Sequence, residues 1–477
     1  MMSSGDVCKD NKLWRKQERE GLIVDTTAIK NLIKERQEDI LKGIQESVQI
    51  DSVRGESLPD APFGEGPKKA LEHAIALAES MGLRTKNVDN YAGWAEYGEG
   101  DEMIAVLGHL DVVPIGEGWD YPAFSGAIVD GKMYGRGVLD DKGPTIGALY
   151  ALKVIKDSGI QLDRRIRVIF GTDEECGSSC MEHYKEAGEE IPVMGFTPDA
   201  EYPLIFCEKG MTGVLVGKKN PVNGEKKVLK LEGGTAANVV TPNCVLQVEG
   251  NLTIESVEGV TVNQEEGITS VYAEGKSAHG STPELGENAA IKLLNAVNDN
   301  NFGGDFEKLK AFLLKEIGTE TNGKKLGIYY YDEETGETTL NVGVVKYNEE
   351  EVSVTLDIRY PKNGIPEEVE KTVKETAEKY GLEVLRCSSE KVLYVPKDSE
   401  LVEKLMKVYK ENTGRDDQPL AIGGGTYAKM FPNMVAFGAT FPDQEANIHQ
   451  PNEWVTIENL MKSIEITAEA MVSLATK

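Results

Sequence analysis

The chain has 477 residues, in which 52 lysines and arginines face 80 aspartates and glutamates, for a formal net charge of -28. This length predicts two or three domains, because single hydrophobic cores stop growing beyond about 250 to 300 residues. The negative charge opposes binding to nucleic acid or anionic lipid, so neither is expected as a partner.

Targeting and redox signals predict a cytoplasmic protein. Residues 1–30 are polar and charged throughout, without the apolar run of a signal peptide. No stretch of the sequence approaches about 18 uninterrupted apolar residues, so no membrane helix is predicted. Six scattered cysteines are typical of reduced thiols. Cys176 and Cys180 lie beside an acidic turn, but no second Cys or His pair completes a zinc set, which favours structural thiols.

The first predicted elements are helices. Apolar residues recur at helical spacing from Ile29 to Val48, which predicts an amphipathic helix that packs on a sheet. A second helix is predicted from Pro67 to about Met81, with Gly82 as its stop signal.

Short apolar strands that end in polar turns follow. A buried strand is predicted over 103–107, and Asp130-Gly131 between apolar residues indicates a hairpin. A buried helix is predicted after residue 141, and another buried strand over 165–170. This alternation predicts an α/β domain whose mostly parallel mixed sheet is sandwiched by helices.

Three acidic turns stand just past these elements: Gly108–Asp111, Asp140-Asp141 and Thr172–Glu175. Open α/β sheets bind ligands at the carboxyl ends of their strands. Adjacent carboxylates in a folded interior repel each other unless a cation lies between them. The turns therefore indicate a metal centre, to which Asp199 and His449 are further candidates.

The middle of the chain has a different character. Apolar and polar residues alternate from Val352 to Arg359, which predicts a half-exposed strand with Arg359 on its polar face. With neighbouring short strands and two helices, this region predicts an α+β module with antiparallel sheet. Because His449 must rejoin the N-terminal turns, the module is predicted as an insertion over 208–392 in a catalytic domain formed by 1–207 and 393–477.

Six motifs stand in order along the chain: Gly108-His109-Leu110-Asp111, Gly135-Arg136-Gly137 with Asp140-Asp141-Lys142-Gly143, Thr172-Asp173-Glu174-Glu175, Pro198-Asp199-Ala200-Glu201, Ser277-Ala278-His279 and Ile448-His449. Together they resemble the di-metal aminoacylase and dipeptidase family, which includes relatives of carnosinase and succinyl-diaminopimelate desuccinylase. Within that family, the resemblance is strongest to the bacterial peptidase V dipeptidases.

The resemblance implies two divalent metal ions as cofactors. The implied ligands are His109, Asp140, Glu175, Asp199 and His449, with Asp140 bridging the two ions. Mixed nitrogen and oxygen ligands suit zinc foremost, and also manganese or cobalt. In this family, the two ions share a water and lower its pKa toward neutrality.

The resemblance also assigns catalytic roles. Glu174 is implied as the general base, which takes a proton from the water and returns it to the leaving amine. Asp111 is implied to accept the other N–H of His109 and so fix its tautomer. His279 is implied to hydrogen-bond the developing oxyanion. The family also implies a cis peptide between Asp140 and Asp141.

The inserted module becomes a substrate lid by the same resemblance. Asn238 and Arg359 are implied to hold the substrate, Arg359 through its C-terminal carboxylate. Backbone amides of Gly424, Gly425 and Thr426 can hold the same carboxylate. A long lid within one chain favours a monomer over a dimer.

The predicted activity is the hydrolysis of short unblocked peptides by a two-metal-activated water. An N-acyl amino acid deacylase or desuccinylase is the first alternative, because it uses the same constellation. A binding protein that kept the fold and lost catalysis is the second.

Overall fold

A computed structural model describes residues 26–445 and 447–477 of the chain. Its helices are α1 (Thr27–Glu35), α2 (Gln37–Val48), α3 (Glu65–Ser80), α4 (Lys142–Ser158), α5 (Ser179–Glu186), α6 (Ala289–Ala296), α7 (Gly304–Phe312), α8 (Pro366–Lys379), α9 (Glu400–Thr413) and α10 (Ile457–Ala475). Within these described ranges, no helix combines the length and the apolar character needed to cross a membrane.

The strands complete the element order. They are β1 (Arg84–Val88), β2 (Ala92–Tyr97), β3 (Met103–His109), β4 (Ala127–Val129), β5 (Lys132–Tyr134), β6 (Arg165–Gly171), β7 (Met194–Thr197), β8 (Ala200–Glu201), β9 (Ile205–Glu208), β10 (Gly210–Lys219), β11 (Val228–Gly233), β12 (Asn243–Glu249), β13 (Val260–Glu265), β14 (Ile268–Glu274), β15 (Tyr331–Asp332), β16 (Gly336–Glu337), β17 (Thr339–Tyr347), β18 (Glu351–Tyr360), β19 (Glu383–Glu390), β20 (Leu393–Tyr394), β21 (Leu420–Ile422), β22 (Met434–Ala436), β23 (Ala439–Thr440) and β24 (Trp454–Thr456).

The chain divides into two compact units. The first holds residues up to Met194, with Lys407–Gly414 and Ala439–Lys477, and the second holds Gly195–Met406 with Arg415–Gly438.

In the first unit, a mixed sheet has the strand order β1-β2-β6-β3. Strands β3 and β6 run parallel, whereas β2 is antiparallel to both of its neighbours. Strand β3 is buried along its whole length, as its unbroken apolar run predicts. The predicted hairpin is also present: β4 and β5 are antiparallel and joined by Asp130 (φ 49°) and Gly131 (φ 75°), the positive angles of a type I′ turn.

The helices of this unit pack around α4, which is buried over most of its length. The sequence predicts one helix from Ile29 to Val48, but the structure has two, because Arg36 leaves helical geometry (φ −101°, ψ 12°) between α1 and α2. Both contact α4, as does α10. The apolar stripe of the predicted helix therefore meets another helix, not the expected sheet face.

The second unit contains a mixed sheet and a separate antiparallel one. In the mixed sheet, β22 pairs parallel with β7, and β9 pairs parallel with β21 and antiparallel with β20 and β22. The antiparallel sheet has the order β13-β14-β12-β11-β17-β18-β10-β19. Helices α6, α7 and α8 contact this sheet, and a continuous apolar core lies between them.

These sheets confirm the predicted fold class, a mixed α/β sheet accompanied by a separate antiparallel module. The antiparallel sheet runs from Gly210 to Glu390. The predicted domain boundaries after residues 207 and 392 stay predictions.

Candidate metal centre

Two of the predicted acidic turns lie side by side because of strand register. Strands β3 and β6 are parallel neighbours, and His109 at the end of β3 is the register partner of Gly171 at the end of β6. The backbone N–H of Leu110 donates to the Gly171 carbonyl at 2.9 Å. The His109 turn and the Glu174-Glu175 turn therefore emerge at the same sheet edge, as the carboxyl-end rule predicts.

His109 is buried and held from both ring nitrogens. Its Nε2 lies 3.2 Å from Asp140 Oδ1, and its Nδ1 lies 3.0 Å from the backbone carbonyl of Asp111. The carboxylate predicted to orient this ring is farther away, with Asp111 Oδ1 at 3.5 Å from Nδ1. That carboxylate instead accepts the backbone N–H groups of Glu174 (3.0 Å) and Glu175 (3.1 Å). Asp111 thus joins the two turns directly.

Asp140 stands between two imidazoles. Its Oδ1 faces His109, and its Oδ2 lies 2.8 Å from His449 Nε2. The same nitrogen of His449 lies 3.2 Å from Glu175 Oε1. One ligand atom each from His109, Asp140 and Glu175 can be chosen so that all lie within 4.8 Å of one another. We call His109, Asp140, Glu175 and His449 the histidine–carboxylate cluster.

The cluster has the chemistry of a divalent metal site. Two imidazole nitrogens and carboxylate oxygens are ligands that zinc, manganese and cobalt accept. The two oxygens of Asp140 point to different imidazoles, which is the arrangement a bridging carboxylate needs. These residues therefore fit a metal centre and could hold its ions.

Burial and pairing perturb the charges of the cluster. Burial opposes ionisation of Asp140, but hydrogen bonds from His109 and His449 outweigh it and hold the pKa of Asp140 below its ordinary value. Hydrogen bonds to Asp140 and Glu175 raise the pKa of His449 to about 10. For Glu174, beside the cluster, burial raises the pKa to about 7.

Asp141, which follows Asp140 in the chain, forms hydrogen bonds to His109 and Thr145. Asp141 is buried, and its Oδ2 accepts the backbone N–H of His109 at 3.1 Å and the hydroxyl of Thr145 at 2.8 Å. Burial raises the pKa of Asp141 to about 7, whereas the pKa of its neighbour Asp140 is lowered. A Cβ at Gly108 would lie 1.9 Å from Thr145 Oγ1, so this close approach requires glycine. The Asp140-Asp141 peptide is cis, as expected.

Asp199, the fifth predicted ligand, belongs to the second unit. It lies two residues past β7, and its backbone N–H donates to Thr197 Oγ1 at 3.4 Å. Its role as a ligand stays a prediction.

Two residues of the first unit escaped the sequence analysis. Glu453 is fully buried, and its carboxylate accepts hydrogen bonds from the loop that carries Asp140 and from the Arg136 guanidinium. Arg136 lies in the Gly135-Arg136-Gly137 motif, and this position was a signal that the sequence offered. Glu453 carries no local signal beyond standing four residues after His449.

In the second unit, Arg359 is not on an exposed face. The alternation in β18 predicts a half-exposed strand, but β18 lies between β17 and β10 and nine-tenths or more of the Arg359 surface is covered, leaving 4% exposed. Its Nη2 donates to Asp357 Oδ2 at 2.8 Å and its Nη1 to the Gly423 carbonyl at 2.6 Å. The polar residues of β18 are thus satisfied by protein partners, which a period-two pattern cannot distinguish from solvent.

His279 and Asn238 lie next to the ion pair between Arg359 and Asp357. The carbonyl of Asn238 accepts the N–H of Gly280 at 2.7 Å, and a Cβ at Gly280 would lie 2.4 Å from Asp357 Oδ2. His279 is exposed, and its Nδ1 accepts the backbone N–H of Ser281 at 3.3 Å. Its pKa is lowered by burial of the ring and by the Arg359 charge. Because Nδ1 accepts this hydrogen bond, the ring can donate from Nε2.

The loop that carries Gly424, Gly425 and Thr426 contacts the segment that carries His279. A Cβ at Gly423 would lie 2.6 Å from Ser281 Cβ, so the loop touches the His279 segment. Thr426 donates its backbone N–H to Glu208 Oε2 at 2.8 Å and its hydroxyl to Oε1 of the same carboxylate. Glu208 is fully buried, and burial raises its pKa to about 7. We call Asn238, His279, Asp357, Arg359 and Gly423–Thr426 the arginine cluster.

Known structures share this fold. Human carnosine dipeptidase 1 aligns with a TM-score of 0.56 at 16% identity, over 94% of this chain and 98% of that chain. The dipeptidase Dug1p from Saccharomyces cerevisiae aligns with a TM-score of 0.57 at 15% identity, over 94% and 98%. At such identities the likeness establishes the fold alone.

Sequence relatives extend the likeness beyond the fold. "Putative dipeptidase YtjP" of Bacillus subtilis (strain 168) is 36% identical over 457 residues, which cover 92% of this chain and 98% of the relative. The profile of peptidase family M20/M25/M40 matches residues 105–473, a span that includes both clusters. The class defined by these matches is that of the peptidases, which are hydrolases. The chain belongs to peptidase family M20/M25/M40.

Proposed function

We propose that the chain is a metal-dependent dipeptidase that hydrolyses the peptide bond of short, unblocked peptides. The observation that carries this proposal is the convergence of His109, Asp140, Glu175 and His449 at one sheet edge, with Glu174 beside them. The family membership and the dipeptidase name of the Bacillus relative support the reaction class.

His109, Glu175, Asp199 and His449 would hold two divalent ions, with Asp140 as the ligand common to both. Zinc is the first candidate, and manganese and cobalt are the alternatives, because all three accept mixed imidazole and carboxylate ligands. When bound, such ions polarise a carbonyl and lower the pKa of water toward neutrality.

Glu174 would act as the general base. Its backbone N–H is bound by Asp111, so the turn is anchored while the side chain stays beside the cluster. The carboxylate would accept the proton of the attacking water and then donate it to the leaving amine. Two carboxylates that follow each other in the chain thus have different tasks, Glu174 as base and Glu175 as ligand.

Residues of the arginine cluster would bind the substrate. Nδ1 of His279 is an acceptor, so its Nε2–H can donate to the carbonyl oxygen as negative charge develops there. Among the described residues, protein partners use three of the five N–H donors of Arg359, one each on Nε, Nη1 and Nη2. The remaining donors suit a substrate carboxylate, which Asn238 and the backbone of Gly424, Gly425 and Thr426 would also contact.

The activity test compares free dipeptides with their N-acetylated forms. The protein is prepared metal-free and then loaded with zinc, manganese or cobalt, and bound metal is counted by elemental analysis. We expect about two ions per chain and hydrolysis of the free dipeptides. Preference for the N-acetylated forms would instead establish a deacylase, and absence of both metal and hydrolysis would contradict the proposal and favour the catalytically inactive alternative.

Removal of metal is the accompanying prediction. A chelator should abolish hydrolysis, and added zinc, manganese or cobalt should restore it. Because ligands that bind only the folded state stabilise it, metal at 100 times its Kd should raise the free energy of unfolding by about 2.7 kcal/mol per site. Thermal unfolding with and without metal measures this shift. Full activity of the chelated protein would contradict the proposal.

We also propose that the protein is a cytoplasmic monomer, in line with the long inserted module. Light scattering of the metal-loaded protein tests its mass against 52.1 kDa.

A further inference from the structure

The carboxylate of Glu453 is surrounded by donors from one loop. Its Oε1 accepts the backbone N–H groups of Gly137 (3.0 Å), Leu139 (3.0 Å) and Asp140 (3.3 Å). Its Oε2 accepts Nη1 of Arg136 at 2.7 Å. The Glu453 side chain thus binds the segment that presents Asp140 to both imidazoles, including the backbone of Asp140 itself.

The backbone of Glu453 belongs to the loop that presents His449. Asn447 closes this loop, because its Oδ1 accepts the N–H of Trp454 at 3.2 Å. The Glu453 carbonyl accepts the N–H of Gly135 at 3.0 Å, next to the pairing of β24 with β5. One residue therefore connects the two loops whose side chains meet where His449 Nε2 lies 2.8 Å from Asp140 Oδ2.

Arg136, the ion-pair partner of Glu453, is itself anchored by two backbone carbonyls. Its guanidinium is 1% exposed and donates from Nη2 to the Pro114 carbonyl at 3.4 Å. Its backbone N–H donates to the Ala123 carbonyl at 2.8 Å. Because a buried carboxylate requires a partner, the guanidinium of Arg136 holds the Glu453 side chain in place beside the loop N–H groups.

We propose that Glu453 and Arg136 are positioning residues that set the separation between the Asp140 and His449 side chains, and thereby the affinity of the protein for divalent metal. The inference rests on the proposed metal centre. It goes beyond the proposed function because neither residue is a candidate ligand, base or substrate contact. Partners that orient ligands from behind typically change metal affinity about 10- to 100-fold when they are replaced.

A merely structural ion pair would affect folding without affecting metal affinity. The first unit contains a matched control, because Arg167 donates to Glu96 Oε2 from Nε at 2.9 Å and from Nη2 at 2.8 Å. Glu96 and Arg167 are 5% and 4% exposed, close to the burial of Glu453 and Arg136. They lie on β2 and β6 and not on the loops that present Asp140 or His449.

The experiment measures zinc and cobalt affinity of the full chain by competition with a chromophoric chelator, and thermal unfolding of the metal-free protein. We expect Glu453→Gln to raise the Kd of at least one ion about 10- to 100-fold and to alter the visible absorption of the cobalt-loaded protein. Glu96→Gln should lower the unfolding temperature and leave both metal readouts at wild-type values.

Equal metal affinity of Glu453→Gln, Glu96→Gln and wild type would overturn the inference. If Glu453→Gln does not fold, Arg136→Lys decides, because it keeps the charge and loses the second donor arm. A several-fold weaker affinity of Arg136→Lys supports the positioning role, and wild-type affinity overturns it. A wild-type protein that binds no divalent metal would instead refute the proposed function itself.

Discussion

The histidine–carboxylate cluster and the arginine cluster balance their charges in different ways. In the first, Asp140 and Glu175 have His449 as a partner, and an imidazole is positive only when it is protonated. In the second, the permanent charge of Arg359 is matched by Asp357. The cation in the first cluster is thus a titratable group, whereas the cation in the second is permanently charged.

Replacement of Glu174, the proposed general base, should have the largest effect. Glu174→Gln keeps the size of the side chain but removes the proton acceptor, so kcat should fall by about 10² to 10⁴. Metal content should stay at the wild-type value, because Glu174 is not a proposed ligand. Glu182→Gln, an exposed glutamate of α5, is the matched control and should leave the rate unchanged. A wild-type rate in Glu174→Gln would remove this residue from the mechanism.

Replacement of His279, in the arginine cluster, should have the second-largest effect. His279→Ala removes the proposed donor to the oxyanion, so kcat should fall by about 10² to 10³ with little change in KM. His183→Ala, at an imidazole paired with Asp89 in the other unit, serves as the control. If the loss appears only in KM, His279 binds the substrate and does not stabilise the transition state.

Arg359→Lys should give a smaller loss that depends on the substrate. Hydrogen bonds to charged groups contribute about 1.5 to 3 kcal/mol, so kcat/KM for a dipeptide with a free carboxylate should fall roughly 10- to 150-fold. A dipeptide amide lacks that carboxylate and should lose much less. Equal losses for both substrates would show that Arg359 supports the fold of the cluster and does not select the carboxylate.

The smallest expected effect concerns stability. Glu208 should make the free energy of unfolding of the second unit depend on pH. Burial raises its pKa in the folded protein to about 7, above the ordinary value of 4.5, so the folded state binds more protons between these values. Stability due to this group is full below the unfolded pKa and is lost as pH rises through the folded pKa. Between pH 5.5 and 7, this loss is about 1.5 kcal/mol, because the slope of 1.36 kcal/mol per pH unit falls to half as pH reaches the folded pKa.

Glu208→Gln should remove this dependence, because a neutral amide can still bond both groups of Thr426. The free energy of unfolding of the variant minus that of wild type, from denaturant titrations, should therefore increase from pH 5.5 to 7. A difference that is constant across this range would show that Glu208 is ionised throughout.

Local patterns predicted much of the framework. The unbroken apolar run of β3 is buried, the Asp130-Gly131 turn forms a hairpin, and the buried helix after residue 141 is α4. Such elements depend on residues close in the chain, so their signals are complete in the sequence. Arg359 was misjudged because a polar residue in a strand can face solvent or a buried partner, and the alternation is the same in both cases.

The sequence by itself determined which side chains are candidates for the chemistry, because histidines and paired carboxylates past strand ends are recognisable wherever they stand. Only the tertiary structure decided how His109, Asp140, Glu175 and His449 meet, and it revealed Glu453 as the residue that joins two of their loops. The physical reason is distance along the chain. A contact such as that between Glu453 and Leu139 joins residues 314 positions apart, and its partners are specified by strand register and helix packing.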